Sequence, residues 1–461
     1  MSLCEDWEKT MAQSKTHFVG IGGAGMSALA QFEALGGGTV TGSDRNFDRG
    51  LQMDLKRRFL DLGIRLFAQD GSGIDAATDK VVVSGAIEGD NPELAQAAEF
   101  KVRVEHRADA LAAHVAGHKT VAVAGTSGKS TVTAMAFEIL TAAGKSPSLI
   151  TGAPLVTLEN KGLIGNAFRG KSDFLVIEAD ESDGTLPKYA PHIGVLLNLG
   201  KDHKEISELR EIFEKFKGRS AQFVVNADQE NLAEFCGDAL TFGFETGNIR
   251  GRNLELFPDR CRFTVEDAEF DVPAPGRHNA ENALAATAAA VAAGATAAEA
   301  AAALSIFRGV YRRFQSVGEA RGVSVVDDYA HNPDKVSAAM AAAHLRSKRV
   351  LAVFQPHGYG PTRFLKTEFI DAFSRALGPE DVLWMPEIYY AGGTATKDIS
   401  AENLVEGVSA AGRDARFIAE RSAICEKIAS EARAGDLVLV MGARDPSLSD
   451  FAKSVLAGLI G

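Results

Sequence analysis

Residues 119–140 read KTVAVAGTSGKSTVTAMAFEIL, and how that run divides decides the fold. TVAVA is a short, β-branched apolar stretch, GTSGKS is a glycine turn, and TVTAMAFEIL has the length and composition of a helix. In that order the three pieces make the phosphate-holding part of a βαβ unit. Backbone N–H groups of the turn, with Lys129, can hold β and γ phosphates, and Ser130 can ligate Mg2+. The full P-loop spacing asks for glycine at position 123, where Val123 stands, so the generic signature is not met.

A second run of the same shape, THFVGIGGAGMSALAQFEALGG, starts at Thr16. Gly20, Gly22 and Gly25 fit G-x-G-x-x-G between a strand and a helix, and Asp44 in TGSDR ends the next strand where a carboxylate can accept from a ribose hydroxyl. Read alone, this loop says NAD. Glycines that merely let a helix pack close to a strand give the same pattern.

The 461 residues are too many for one ordinary domain, and at roughly 100 to 200 residues each we expect three. With 46% hydrophobic and 24% charged residues each can bury a core. A net charge of −12, with no basic run interleaved with aromatics, speaks against a nucleic-acid partner. Anionic small molecules remain open, because helix N-termini and single cations bind them locally. Cys4, Cys236, Cys261 and Cys425 are scattered without metal or disulfide spacing, as in a reducing compartment. No apolar stretch reaches membrane-span length and the first residues lack an apolar signal core, so a cytoplasmic protein is expected.

Short apolar runs alternate with helix-like segments from His17 to about Ala116 and again from HKTVAVAG, the pattern of parallel sheets. The alanine-rich stretch HNAENALAATAAAVAAGATAAEAAAAL predicts two packed helices with a turn near Gly294. After YRRFQ the alternation restarts, implying a third α/β unit.

Other residues can gather at strand ends, which face the ligand crevice of a parallel sheet. VIEADESDG offers Glu178, Asp180, Glu181 and Asp183, and LLNLGKDH offers Asp202 and His203. Solvation alone would equally explain Glu181 and Asp183. PGRHNAENALAA places His278, Asn279 and Asn282 at a helix start, where Asn caps the helix or meets an adenine edge. YRRFQ carries Arg312 and Arg313, and VVDDYAHNP carries Asp327, Asp328, Tyr329 and His331.

In sequence order these motifs resemble those of the Mur ligases, which add amino acids to UDP-N-acetylmuramate in peptidoglycan synthesis. GIGGAGMS resembles that family's UDP-sugar loop, and VVVSGAIEGDNPEL and VEHRADALAA resemble its segments around Ser84, Ile87, Asn91 and Arg107. GTSGKST resembles its ATP loop, with Ser127 departing from the histidine common in the alanine-adding branch. The resemblance implies three α/β domains: a Rossmann-like UDP-binding domain over 15–116, a central P-loop-type ATPase domain over 117–309 and a C-terminal Rossmann-like domain over 310–461 that takes the amino acid.

It further implies that Gly22, Gly23, Ala24, Gly25, Met26, Asp44, Ser84 and Arg107 hold the UDP-sugar. Residues 125–131, ending at Thr131, hold ATP together with Asn279, Asn282, Arg313 and Asp328. Lys129, Glu178 and His203 are then catalytic, with Ser130, Glu178 and His203 on Mg2+. The expected reaction phosphorylates the sugar's lactyl carboxylate and displaces phosphate with an amine, L-alanine first among donors and a recycled peptide among the alternatives. FQPHGYGPTRFL resembles a branch segment with two arginines for the donor's carboxylate, but Gly358 and Pro361 stand there. Arg363 is the nearest substitute, with Tyr329 and His331 beside the amine. A carbamylated lysine common in the family aligns with Phe213, so no carbamate is expected. A monomer or homodimer is expected. An NAD-dependent oxidoreductase, resting on GIGGAG alone, and a nucleotide-sensing regulator are the rival classes.

Overall fold

The computed structural model describes residues 14–181, 184–201, 205–390 and 396–460. Within them the chain forms three sheets in series, each with helices packed against it. The first contains β1 (Lys15–Val19), β2 (Thr39–Ser43), β3 (Arg65–Phe67), β4 (Lys80–Val83) and β5 (Arg103–His106), all parallel in the order β3-β2-β1-β4-β5. The order reverses at β1, so the C-terminal end of β1 opens onto a crevice. Gly20, at φ +74°, turns the chain there into the helix Ala24–Leu35.

The second sheet contains β6 (Lys119–Ala124), β7 (Ser148–Ile150), β8 (Ala167–Phe168), β9 (Phe174–Glu178), β10 (Ile193–Leu196), β11 (Gln222–Asn226), β12 (Leu240–Gly243), β13 (Ile249–Leu256), β14 (Cys261–Val265) and β15 (Ala268–Val272). Its order is β15-β14-β13-β12-β11-β10-β6-β9-β7-β8, parallel in the middle and antiparallel at both edges. β6 again lies at the reversal, between β10 and β9, and hands its C-terminal end to the helix Lys129–Ala142. The alanine-rich stretch forms the helices Arg277–Ala292 and Ala297–Leu304, joined through Gly294 at φ +85° and a Thr296–Glu299 capping box. Alanine faces let the first of these lie close against Lys129–Ala142 in one apolar core.

The third sheet holds β16 (Gln315–Ala320), β17 (Val323–Asp328), β18 (Val350–Gln355), β19 (Val382–Met385), β20 (Ala415–Phe417) and β21 (Leu437–Gly442) in the order β16-β17-β21-β18-β19-β20. Only the edge strand β16 is antiparallel. Separate apolar clusters cover its two faces, which is why β18 and β21 are buried along their whole length. Among the described residues, no helix is long and apolar enough to cross a membrane.

Candidate active site

The second glycine loop is held by side chains from well beyond itself. Gly125 and Gly128 sit at φ +135° and +86°, and a Cβ on Gly128 would lie 2.4 Å from Asn282 Oδ1. Asn198, just past β10, clamps the turn: its Oδ1 accepts from Ser127 N at 2.8 Å and Thr126 Oγ1 at 2.9 Å, and its Nδ2 donates to Ser127 O at 3.1 Å. Lys129 Nζ donates to Gly125 O at 2.7 Å and to Glu181 Oε2 at 2.8 Å. Burial works against the ammonium charge, yet the carboxylates of Glu181, Asp180 and Glu178 outweigh it and raise the Lys129 pKa, so the lysine stays protonated. Glu181 is 3% exposed, and burial pushes its carboxyl up while Lys129 opposes. It is therefore an ion-pair partner of Lys129, and the solvated reading of Glu181 fails. Thr131, in the first turn of Lys129–Ala142, is buried.

Glu178 ends β9 beside this loop. It accepts from Ser130 Oγ at 3.0 Å through both oxygens, and its Oε2 also accepts from Thr151 Oγ1 at 3.0 Å and Gly152 N at 2.9 Å. Ser130 and Glu178 bring together a hydroxyl and a carboxylate, the hard oxygen donors that Mg2+ takes. The donor set thus fits the ion. His203, expected as a further ligand, lies outside the described residues, as do Asp183 and Asp202.

The third unit reaches this point through the turn before β16. Arg312 and Phe314 both adopt left-handed φ, +55° and +49°, a costly conformation for such residues that aims Arg313 between them. Arg313 donates to Ser130 Oγ at 3.1 Å while its guanidinium lies 4.6 Å from the centre of the Tyr329 ring. Arg312 is tied down by Asp327, both contacts at 3.1 Å, and by Gly442 O at 2.9 Å. Asp328 accepts from Phe314 N at 2.6 Å and Ala330 N at 2.7 Å, and burial raises its pKa against the pull of Arg313. Lys201 bridges the same two units, 2.9 Å from Glu368 and over the Phe364 ring.

Asn279 is buried, its Nδ2 donating to Pro275 O at 2.7 Å. Asn282 Nδ2 lies 3.4 Å from Asn279 Oδ1. Burial lowers the neighbouring His278 to about 4. Further round, His331 Nδ1 contacts Tyr329 O at 2.8 Å and its Nε2 lies 3.2 Å from Lys335 Nζ. Burial, with the Lys335 and His357 charges, holds its pKa well below the ordinary value, so it is neutral at pH 7. His331 and His357 line one small apolar pocket with Pro361, Thr362 and Phe369. Gly358, at φ +70°, caps the short helix Tyr359–Phe364, from whose exposed last turn Arg363 pairs with Asp398 and donates to Thr396 O at 3.1 Å. Arg363 is thus already paired with a carboxylate, and a substrate carboxylate would compete with Asp398 for its guanidinium.

The first loop is simpler. Asp44 Oδ2 accepts from Gly22 N at 2.9 Å and its Oδ1 from Asn46 N at 2.9 Å, so the carboxylate both braces the turn and caps a short helix. A Cβ on Gly25 would lie 2.9 Å from Arg107 Nη1, which places that guanidinium against the helix N-terminus. Gly23 is the N-cap and Ala24 the first helical residue, with no side-chain cap, leaving backbone donors for a ligand. The Met26 side chain is 3% exposed and turned into the core. Ser84 Oγ accepts from Ala86 N at 3.4 Å beyond β4. Phe213 is fully buried in the helix Ile206–Arg219, and Lys217 of that helix pairs with Asp238.

Sequence reasoning passed over Asn198, Thr151, Gly152 and Asn166. Asn198 stands inside LLNLGKDH, a stretch read for its acidic and histidine residues, and a polar residue ending an apolar strand was the available signal.

Three parallel-sheet units in series, the first two each with a glycine loop where the strand order reverses, define a three-domain α/β ligase, and the chain belongs to the Mur ligase family. It matches the family models for the Mur ligase family, catalytic domain (residues 15–119), the Mur ligase middle domain (123–290) and the Mur ligase, glutamate ligase domain (312–444). It is 39% identical to the UDP-N-acetylmuramate--L-alanine ligase of Streptomyces coelicolor, over 94% of this chain and 96% of that protein. It is 36% identical to the enzyme of the same name from Anaeromyxobacter dehalogenans strain 2CP-1, over 94% and 95%. The crystal structure of UDP-N-acetylmuramate-alanine ligase MurC from Thermotoga maritima superposes with a TM-score of 0.77 at 28% identity, covering 96% of this chain and 98% of that one.

Proposed function

We infer that the chain is an ATP-dependent ligase joining L-alanine to the lactyl carboxylate of UDP-N-acetylmuramate. The observation that carries this reading is the convergence of Lys129, the Ser130–Glu178 pair and Arg313 on one glycine loop. The first loop, with Asp44, Ser84 and Arg107 around it, then takes the UDP-sugar. An oxidoreductase has no use for the second loop.

In the forward reaction a carboxylate oxygen attacks the γ-phosphorus and the bond to the β,γ-bridging oxygen breaks, leaving an acyl phosphate and ADP. The amine of the donor attacks the acyl carbon, phosphate leaves with that carboxylate oxygen, and the amine loses a proton. Lys129 and Arg313 offset the charge that builds on the transferring phosphoryl group. Ser130, Glu178 and His203 are the residues that would hold Mg2+, which when bound neutralises phosphate oxygens. Ser127 Oγ is buried without a partner among the described residues, and a phosphate oxygen is an acceptor of the kind it lacks. Asn279, Asn282 and Asp328 serve adenine and ribose, and Tyr329, His331 and Arg363 serve the amino acid. The enzyme is assigned to the cytoplasm, as a monomer or homodimer.

Phosphate release is the test, measured with UDP-N-acetylmuramate, ATP, Mg2+ and a panel of amino acids. Release that needs the UDP-sugar and is fastest with L-alanine is expected. Release with another donor alone moves the chain to a different branch, and none with any donor removes the ligase reading.

A further inference from the structure

Side chains that the ligase chemistry leaves unused connect the two loops. The helix Ala24–Leu35, which opens on the first loop, carries Gln31 on its buried side, 1% exposed. Gln31 Nε2 donates to Ser27 O at 2.9 Å and to Asn166 Oδ1 at 2.6 Å. Asn166, 4% exposed and just before β8, returns the contact, its Nδ2 donating to Ala24 O at 3.1 Å. Its own carbonyl accepts from Thr151 N at 3.0 Å, and Thr151 Oγ1 donates to Glu178 Oε2 at 3.0 Å. Glu178 then meets Ser130. Two buried residues, Asn166 and Thr151, thus span the distance from the N-terminal turn of the first loop's helix to the carboxylate of the second.

Such a line transmits small displacements because its members are buried and bonded to one another. A buried amide satisfied at both ends resists losing either partner, so a shift of the Ala24 turn either carries Asn166 with it or orphans a donor. The loop Thr151–Gly152, tied to Asn166 on one side and to Glu178 on the other, passes that shift to the oxygens beside Ser130. We propose that Asn166 is a positioning residue coupling the two loops, so that a UDP-sugar on the first and a nucleoside triphosphate on the second each tighten the other's binding. Reciprocity follows from linkage. The proposal rests on the ligase reading, which supplies the two ligands.

The experiment measures the affinity of the β,γ-methylene analogue of ATP with Mg2+, with and without saturating UDP-N-acetylmuramate, by calorimetry on the full chain. Wild type should show a coupling ratio of about tenfold, within the range usual for linked sites. Asn166→Ala and Thr151→Val should bring that ratio below about twofold, and Thr151→Ser, which keeps the hydroxyl, should retain it. The ratio is the readout because a merely structural defect weakens both affinities without changing it. Should Asn166→Ala fail to fold, Thr151→Val against Thr151→Ser decides. Two ligands that bind wild type with no mutual effect, or coupling that survives both Asn166→Ala and Thr151→Val, overturn the proposal and leave the ligase reading standing. Failure of either ligand to bind wild type removes both.

Discussion

The two glycine loops share a strand, turn and helix plan and differ in what surrounds them. At the first, the helix start carries no side-chain cap, with Asp44 bracing Gly22 and Arg107 lying against Gly25. At the second, a half-buried lysine is paired with a buried glutamate, a serine with another glutamate, and an arginine arrives from a different unit. A loop that only has to hold a diphosphate can rely on N–H groups and one flanking cation. A loop where a phosphoryl group is transferred needs charges already in place and desolvated, at the cost of burying ions that must be paired.

The largest effect is expected at the second loop. Lys129→Ala should cut phosphate release by about 100- to 1000-fold while UDP-sugar affinity stays within about twofold, since its partners Gly125 and Glu181 both belong to the second unit. Equal loss of both functions, measured by turnover and calorimetry, would dissolve the distinction between the loops.

A variant outside both loops comes next. Arg363→Ala should raise the KM for the amino acid by about 10- to 100-fold, the worth of one charge-assisted bond, without altering the KM for ATP. Asp398→Asn, which frees the guanidinium from its partner, should lower the same KM. An unchanged KM in Arg363→Ala assigns the donor's carboxylate to another group.

At the first loop the effect is smaller and confined to binding. Gly25→Ala puts a methyl where Arg107 lies, and should raise the KM for UDP-N-acetylmuramate about five- to tenfold with kcat for the bound complex unchanged. A matching fall in kcat would show that this loop, too, takes part in the chemistry.

The smallest effect concerns stability. His278 is lowered by burial to about 4, below its unfolded value near 6.5, so the unfolded chain binds the proton more readily. Its contribution is complete above about pH 6.5 and is lost as pH falls toward about 4. His278→Gln should therefore reduce the drop in melting temperature between pH 7 and pH 5 by about 2 °C or more, read by calorimetric scans.

Much of this was legible in the sequence because it is local. Both loops announce themselves by glycine spacing between an apolar run and a helix, and the alanine-rich stretch became two helices because alanine favours helix and Gly294 and Thr296 break it. What stayed hidden depends on chain returning from afar. Glu181 read equally well as a solvated residue, and only the fold shows it enclosed against Lys129. Asn198 clamps a turn 71 residues away from it in sequence, and no local pattern marks such a contact. The strands β12 to β15 went unread although CRFTV alternates buried and exposed positions, because short amphipathic strands carry a weaker signal than glycine loops do.

The division of labour between the loops is tested most directly by following an oxygen atom. UDP-N-acetylmuramate labelled with oxygen-18 in its lactyl carboxylate is turned over with ATP, Mg2+ and L-alanine, and the released phosphate is analysed by mass spectrometry. If the acid held by the first loop is phosphorylated at the second, one labelled oxygen appears in each phosphate. Phosphate carrying no label, released in step with amide formation, would mean that the carboxylate never attacks the γ-phosphorus.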